Sequence, residues 1–157
     1  MKSNKLIPTL ALLGVGFLAL GKGTNILPSS TRIQVRVIRL TKLILSKFPN
    51  IEIKAEATVT NYNAIEFPLN AMYGTVYYDG NQIGTVSNTK SGIILGQQSS
   101  RVPLDINIPA FSLLTPGTEL YEQISKGNIP TEFLQSLTIK GEILSGNITV
   151  AFNKRLG

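Results

Sequence analysis

Residues 51–84, IEIKAEATVTNYNAIEFPLNAMYGTVYYDGNQIG, decide the fold. Ile51, Ile53, Ala55, Ala57 and Val59 alternate with Glu52, Lys54, Glu56, Thr58 and Thr60. A period of two puts the apolar side chains on one face of a strand and the polar ones on the other. Such a strand belongs to an antiparallel sheet with one wet face. Asn61-Tyr62-Asn63 ends it as a turn cluster, and a second strand is expected from Asn70 to Tyr78. Asp79-Gly80-Asn81 then reverses the chain as a hairpin. The layout points to a binding or structural β-sandwich rather than a catalyst.

The rest of the chain extends this pattern. Thr31–Leu45 reads as a strand whose alternation slips at Val37-Ile38, the signature of a bulge or a change of face. Phe48-Pro49-Asn50 breaks the chain before Ile51, and Pro68 closes the loop that follows Asn63. Gln82–Ser87 and Ile93–Gln97 are expected as short strands. In Arg101–Ile108, Val102, Leu104, Ile106 and Ile108 point inward, and the outward Pro103 places this strand, or that part of it, at an edge. Thr115-Pro116 suggests a helix cap, with Leu120, Tyr121 and Ile124 on the apolar side of one short helix and Gly127 as its stop. Phe133–Leu144 and Asn147–Phe152 close the domain as two strands joined at Ser145-Gly146. Seven to eight short strands imply an all-β, immunoglobulin- or fibronectin-like antiparallel sandwich with one short helix, preceded by an N-terminal hydrophobic helix.

Composition narrows the chemistry. The 157 residues accommodate an anchor or signal segment with its linker over 1–28 and a β-sandwich domain over 29–157. The chain has no cysteine, which removes disulfides, thiolate metal sites, cysteine nucleophiles and a lipidated cysteine. It has no histidine, so the commonest general base and metal ligand are missing too. No catalytic residue, metal or cofactor is expected.

Leu6–Leu20, LIPTLALLGVGFLAL, is an apolar run of fifteen residues flanked by Lys2, Lys5 and Lys22. A membrane crossing needs about twenty, so the length suits a short anchor or the apolar region of a signal peptide. Leu6, Leu10, Leu12, Leu13, Val15, Phe17, Leu18 and Leu20 would form the anchor, and Gly14, Gly16 and Gly21 offer small-residue contacts to a neighbouring helix. Retention places the protein on a bacterial envelope or virion membrane, whereas cleavage yields an exported soluble form. Gly16–Gly23 imitates a phosphate-binding loop, but Gly23 stands where Ser or Thr must follow the lysine, and no strand precedes it.

The net charge is +6, and Lys22, Arg32, Arg36, Arg39, Lys42, Lys47 and Lys54 share their stretch with a single acid, Glu52. Bases just after an apolar run suit anionic lipid headgroups, at about 1 kcal/mol each. Lys22, Arg32, Arg36, Arg39 and Lys42 are the candidate contacts, and a solvated strand face is the competing explanation. Aromatic residues do not interleave with these bases, which argues against nucleic acid as a partner.

The order of the pieces resembles the late embryogenesis abundant type 2 family, or water-stress and hypersensitive-response domain. The carriers are IQVRVIRL at 33–40, Thr60-Asn61-Tyr62-Asn63 at the place of an Asn-Pro-Asn-type turn, MYGTVYYDGNQIG at 72–84, RVPLDINI at 101–108 and LTIKGEILSGNITVAF at 137–152. Tyr62 replaces the family's proline. The resemblance covers about residues 31–153. It implies a sandwich without a catalytic centre, a stress-protective or lipid-associated role, and in some relatives an N-terminal anchor or export signal. Membrane lipids are the expected partner. The alternative is a structural subunit of a membrane-associated assembly, such as a membrane-containing virion or an envelope machine. A hydrolase acting through Glu119 and Glu122 would need burial to separate two carboxylates that otherwise serve a helix N-terminus. Asp79 and Asn81 fit an ordinary turn better than a cation site, and the Asn147-Ile148-Thr149 sequon falls inside a strand.

Overall fold

The computed structural model describes residues 32–157. Strands β1 (Ile33–Ile44) and β2 (Asn50–Asn61) are followed by β3 (Phe67–Leu69), β4 (Ala71–Tyr78), β5 (Asn81–Asn88), β6 (Gly92–Ile94) and β7 (Gln98–Pro109). A 3-10 turn (Ala110–Leu114), helices α1 (Thr118–Ser125) and α2 (Thr131–Gln135), and strands β8 (Thr138–Ser145) and β9 (Ile148–Arg155) complete the domain. Seven strands form one antiparallel sheet in the order β1-β2-β7-β5-β4-β8-β9, and β3 pairs with β6 in a separate ribbon.

The sheet curls until its two ends meet. Ile38 of β1 bridges Leu156 in parallel, and Gly157 donates its N–H to the Ile38 carbonyl at 2.9 Å. A limb of β1, β2 and β7 thereby faces a limb of β5, β4, β8 and β9, hinged where Thr85–Asn88 pairs with Leu104–Asn107. The core between them takes Ile38, Ile51, Ile53, Val59, Leu104, Ile106 and Ile108 from one side and Met72, Val76, Ile83, Ile139 and Ile143 from the other. The alternation read from residues 101–108 is the alternation observed, and that of 51–60 holds through Val59 and ends at Thr60, which is buried and bonded to Ser99.

Because neighbouring strands run antiparallel, the domain has two poles. One carries the start of β1, the end of β2 and the β3–β6 ribbon, and is called the ribbon pole. The other carries the 3-10 turn and both helices, and is the helical pole; there Phe48 packs on Tyr121 (6.3 Å) and Tyr78 on Phe133 (5.0 Å).

The structure corrects several expectations. There are two short helices and a 3-10 turn, not one helix. Phe133 lies in α2 rather than at the start of a strand. Pro130, Thr131 and Glu132 open a helical turn, and Phe133 and Leu137, four residues apart, are both buried. Thr115 does not cap α1: it is spent in helical conformation at the end of the 3-10 turn, and α1 starts at Thr118 behind Gly117. The stop at Gly127 holds, with φ +87°. The slip in β1 is real, with register shifts at Val35/Val37 and Leu40/Lys42. Residues 98–103 of β7 pair with β2 alone, and Pro103 sits on this open stretch just beyond the reach of β5. Its carbonyl accepts from Thr89 on the β5 side, so its missing N–H also points there, away from β2. The anticipated hydrophobic helix at residues 6–20 lies outside the described residues.

Strands β4 and β8 approach unusually closely where Gly74 opposes Gly141. A Cβ on Gly141 would lie 2.0 Å from the Tyr73 carbonyl oxygen, and one on Gly74 would lie 2.4 Å from that of Lys140. Both obstacles are backbone atoms of a central pair, so relief requires the strands to separate. Gly141→Ala is expected to lower unfolding free energy by about 2–3 kcal/mol, measured by urea denaturation. Wild-type stability in that variant would disprove the close approach.

Candidate functional site

The polar face of the β1-β2-β7 limb carries most of the sequence-predicted basic residues. Register sets Arg39 opposite Glu56, Lys42 opposite Lys54, and Lys54 opposite Asp105. Arg39 lies 3.2 Å from Glu56, Lys54 donates to Asp105 at 2.6 Å, Lys47 is 3.3 Å from Glu52, and Arg101 is 3.9 Å from the same Glu56 carboxylate. Neighbouring strands thus neutralise part of the basic stretch: Arg39, Lys47 and Lys54 meet acids, whereas, among the described residues, Arg32, Arg36 and Lys42 do not. Each pair joins an exposed base to a half-buried acid open to solvent on one side, and contributes about 0–1 kcal/mol. Arg36, at the first bulge, donates to the Tyr62 hydroxyl. Among the described residues, Arg32 and Lys42 are exposed without an acidic partner. Lys22 and the eight proposed anchor residues (Leu6, Leu10, Leu12, Leu13, Val15, Phe17, Leu18 and Leu20) lie outside the described residues.

On the other limb the tyrosines divide as strand geometry requires. Met72 is buried and Tyr78 rests on Phe133. Tyr73 points out and donates to Glu142 at 2.9 Å, and the Lys140 ammonium sits over the Tyr77 ring at 5.1 Å. The first contact occupies the Tyr73 hydroxyl and the second covers the face of the Tyr77 ring.

Asn61 serves the turn, as expected from the sequence, but sequence reasoning missed its reach to the β3–β6 ribbon. Wholly buried, its amide donates to the carbonyls of Ile65 (2.9 Å) and Ile94 (3.0 Å), and its Oδ1 accepts from the N–H and side-chain amide of Asn63 (2.9 and 3.0 Å). One side chain therefore joins the β2 turn to the β3–β6 ribbon. Gln97 adds its N–H to the Asn63 carbonyl and its side-chain amide to that of Tyr62. Gly96 fits because a Cβ there would lie 2.3 Å from the Ala64 oxygen. The Asn-x-Asn spacing favours a side chain bonding backbone two residues on, and Asn61 does so at Asn63; its bond to Ile94, thirty-three residues away, carries no such local signal.

Two open concavities lie near the helical pole. One is bounded by Gln82–Thr85, Asn107, Pro109 and Ser112 and holds no titratable group. The Ser112 hydroxyl lies 2.7 Å from the Ile83 carbonyl and 2.6 Å from that of Pro109, which commits its single proton to holding the 3-10 turn on β5. The other lies between α1, α2 and Tyr78, and brings Glu119 and Glu132 to one depression. The structure does not join Glu119 to the previously paired Glu122 in that depression. No group of three or more potential metal ligands occurs among the described residues. No helix among them is long and apolar enough to cross a membrane.

No family model matches the chain, and no curated protein matches it by sequence. Among solved structures, the fold is similar to a protein from Archaeoglobus fulgidus, with TM-score 0.50 and 12% identity over 76% of this chain and 90% of that one. At that identity the likeness is one of fold alone. A β-glucuronidase from glycoside hydrolase family 2 matches with TM-score 0.43 and 12% identity, over 76% of this chain and 12% of that one. A FixG-related protein from Vibrio parahaemolyticus matches with TM-score 0.39 and 10% identity, over 80% and 96%.

Asn61→Ala leaves buried carbonyl and N–H groups without partners and is expected to cost about 2–4 kcal/mol, read by thermal or urea unfolding. A loss under about 0.5 kcal/mol would show that the junction is dispensable. The second prediction concerns alkali. The hydrogen bond to Asp105 is the main cause that raises the Lys54 ammonium above its ordinary 10.5, and the bond to Glu142 raises the Tyr73 phenol above 10.0. Both groups hold their protons more tightly when folded. Their contribution is therefore complete below those ordinary values and is lost as pH rises through the folded ones. The unfolding midpoint is expected to fall above about pH 10, and Lys54→Met with Tyr73→Phe should flatten the fall. An unchanged alkaline slope in the double variant would refute the assignment.

Proposed function

We propose that the protein is a non-enzymatic, membrane-tethered β-sandwich of the immunoglobulin or fibronectin type. Its role would be protective or lipid-associated, like that of the late embryogenesis abundant type 2 proteins it resembles. The observation that carries the reading is the placement of the chain's entrance: Arg32, the first described residue, lies at the ribbon pole against Tyr62, and the apolar run 6–20 precedes it in sequence. A run of that composition so close to a folded body supports a tether. The three-strand limb facing a four-strand limb supports the sandwich type.

The state of the polar groups supports a non-catalytic role. Bonds to Asp105 and Glu142 hold the protons of Lys54 and Tyr73 more tightly than in the free groups, the opposite of what proton transfer near neutral pH requires of a base. The carboxylates of the outer wall, Glu52, Glu56 and Asp105, are each held by a basic neighbour.

A second reading, a structural subunit of a membrane-associated assembly such as a membrane-containing virion or envelope machine, is favoured by one feature. Phe111 is 69% exposed and Leu114 46% exposed on the helical pole, where a neighbouring subunit could cover them. Under that reading the detergent-solubilised chain sediments as a fixed oligomer, and under the first as a monomer. Tethering itself is tested by removing residues 1–28: the full chain should float with membranes on a density gradient and the shortened one should remain in the soluble fraction. Flotation of both would move the attachment into the sandwich.

A further inference from the structure

The ribbon of β3 and β6 is apolar on both faces. Phe67, Leu69 and Ile94 point inward and are buried. Pro68, paired with Ile93, is exposed, Ile93 is 55% exposed, and Leu95 beyond it is 51% exposed. Alternation around buried Ile94 puts Ile93 and Leu95 on one side of their strand. An apolar patch on a surface marks contact with something less polar than water.

The patch is held rigidly. Asn61 grips the Ile94 carbonyl, Gln97 is bonded to both Tyr62 and Asn63, and Gly96 lies against Ala64. A contact surface already fixed in place loses little freedom on binding.

Charge selects the occupant. Arg32, Arg36 and Lys90 are exposed at this pole, against the single acid Glu66. The other exposed apolar pair, Phe111 and Leu114, lies at a pole where Asp79, Glu119, Glu122 and Glu132 offset the exposed Lys47, Lys126 and Arg155, which leaves no positive excess to draw an anionic surface. Position agrees with charge. Eleven residues, 21–31, separate the apolar run from Arg32, and a chain of that length spans at most about 40 Å. A bilayer holding the run is therefore within reach of this pole.

We propose that Pro68, Ile93 and Leu95, with Arg32, Arg36 and Lys90 beside them, seat the ribbon pole end-on upon an anionic lipid bilayer, leaving the helical pole turned away from it. The inference rests on the tethering reading and specifies which surface of the domain meets the lipid. It replaces a flank-on arrangement along β1, whose Arg39 is paired with Glu56. Each basic residue near such a surface strengthens the contact roughly fivefold at moderate salt.

The chain contains no tryptophan, so one introduced indole reports alone. Full-length Ile93→Trp, Leu95→Trp and Phe111→Trp would be mixed with phosphatidylcholine vesicles with and without phosphatidylserine, some carrying brominated acyl chains. With phosphatidylserine present, Ile93→Trp and Leu95→Trp should shift to the blue and be quenched by bromine. Phe111→Trp should do neither. Added salt should weaken the response, because the bases act through a screened field. If the chain floats with vesicles while both ribbon reporters keep their lipid-free emission, the end-on contact is wrong and the tether stands. If the chain does not float at all, the tether is wrong and the contact falls with it. Quenching of Phe111→Trp instead would invert the orientation. Ribbon reporters already blue-shifted before lipid is added would mean that the patch is covered by the leader or by a second copy, which also overturns the proposal.

Discussion

The constraint on which the structure depends is the dry row of β2. Ile51, Ile53, Ala55, Ala57 and Val59 are 0–3% exposed, and their strand is bonded along its length to β1 on one side and β7 on the other. A slip of one residue would turn all five into water and bury Glu52, Lys54 and Glu56. Register throughout the first limb is therefore fixed by one alternating stretch. Small residues in the middle of the row, Ala55 and Ala57, leave room for bulkier partners: Leu104 is buried opposite Ala55, and Ile38 opposite Ala57. With no cysteine to staple it, the domain depends on this apolar interlock and the backbone ladders.

What was legible in the sequence is what repeats. The five-residue alternation of β2, that of β7, and the Asp79-Gly80 hairpin, whose residues have φ 52° and 80°, each follow from a local rule with a period or a left-handed backbone requirement. What was not legible lacks a period. The three residues of β3 are too few to alternate convincingly, and Pro68 discourages a strand assignment; β6 was expected at Ile93–Gln97 and is found at Gly92–Ile94. They pair with each other, and buried Asn61 ties Ile94 of β6 and Ile65 just before β3 to the end of β2 through hydrogen bonds. Phe133 was misplaced for a related reason. Leu134, Leu137 and Ile139 follow it, and an apolar stretch of this kind suits a strand or a buried helical turn until neighbours arbitrate; here Tyr78 does.

The basic stretch shows how folding changes the meaning of a charge pattern. In sequence, seven bases share one acid between residues 22 and 54. In space, Glu56 and Asp105 come from β2 and β7 to stand beside Arg39, Lys54 and Arg101. Antiparallel pairing joins distant residues, so linear charge density overstates the field of the folded wall. What survives is the imbalance at the ribbon pole, where Arg32 has no acidic partner and Arg36 binds a tyrosine hydroxyl rather than a carboxylate.

The Ile38–Leu156 bridge has a consequence for how molecules of this kind can associate. A sheet whose last strand returns to its first offers little open margin for another chain to continue the ladder. The two register breaks in β1 and the charged Arg36 and Arg39 further spoil that margin as a template. Growth by strand addition, the route to fibres and swapped dimers, is thereby discouraged. Any company the protein keeps must be met through its ends or its walls, so at high local density neighbouring copies would remain separate bodies instead of fusing into one continuous sheet.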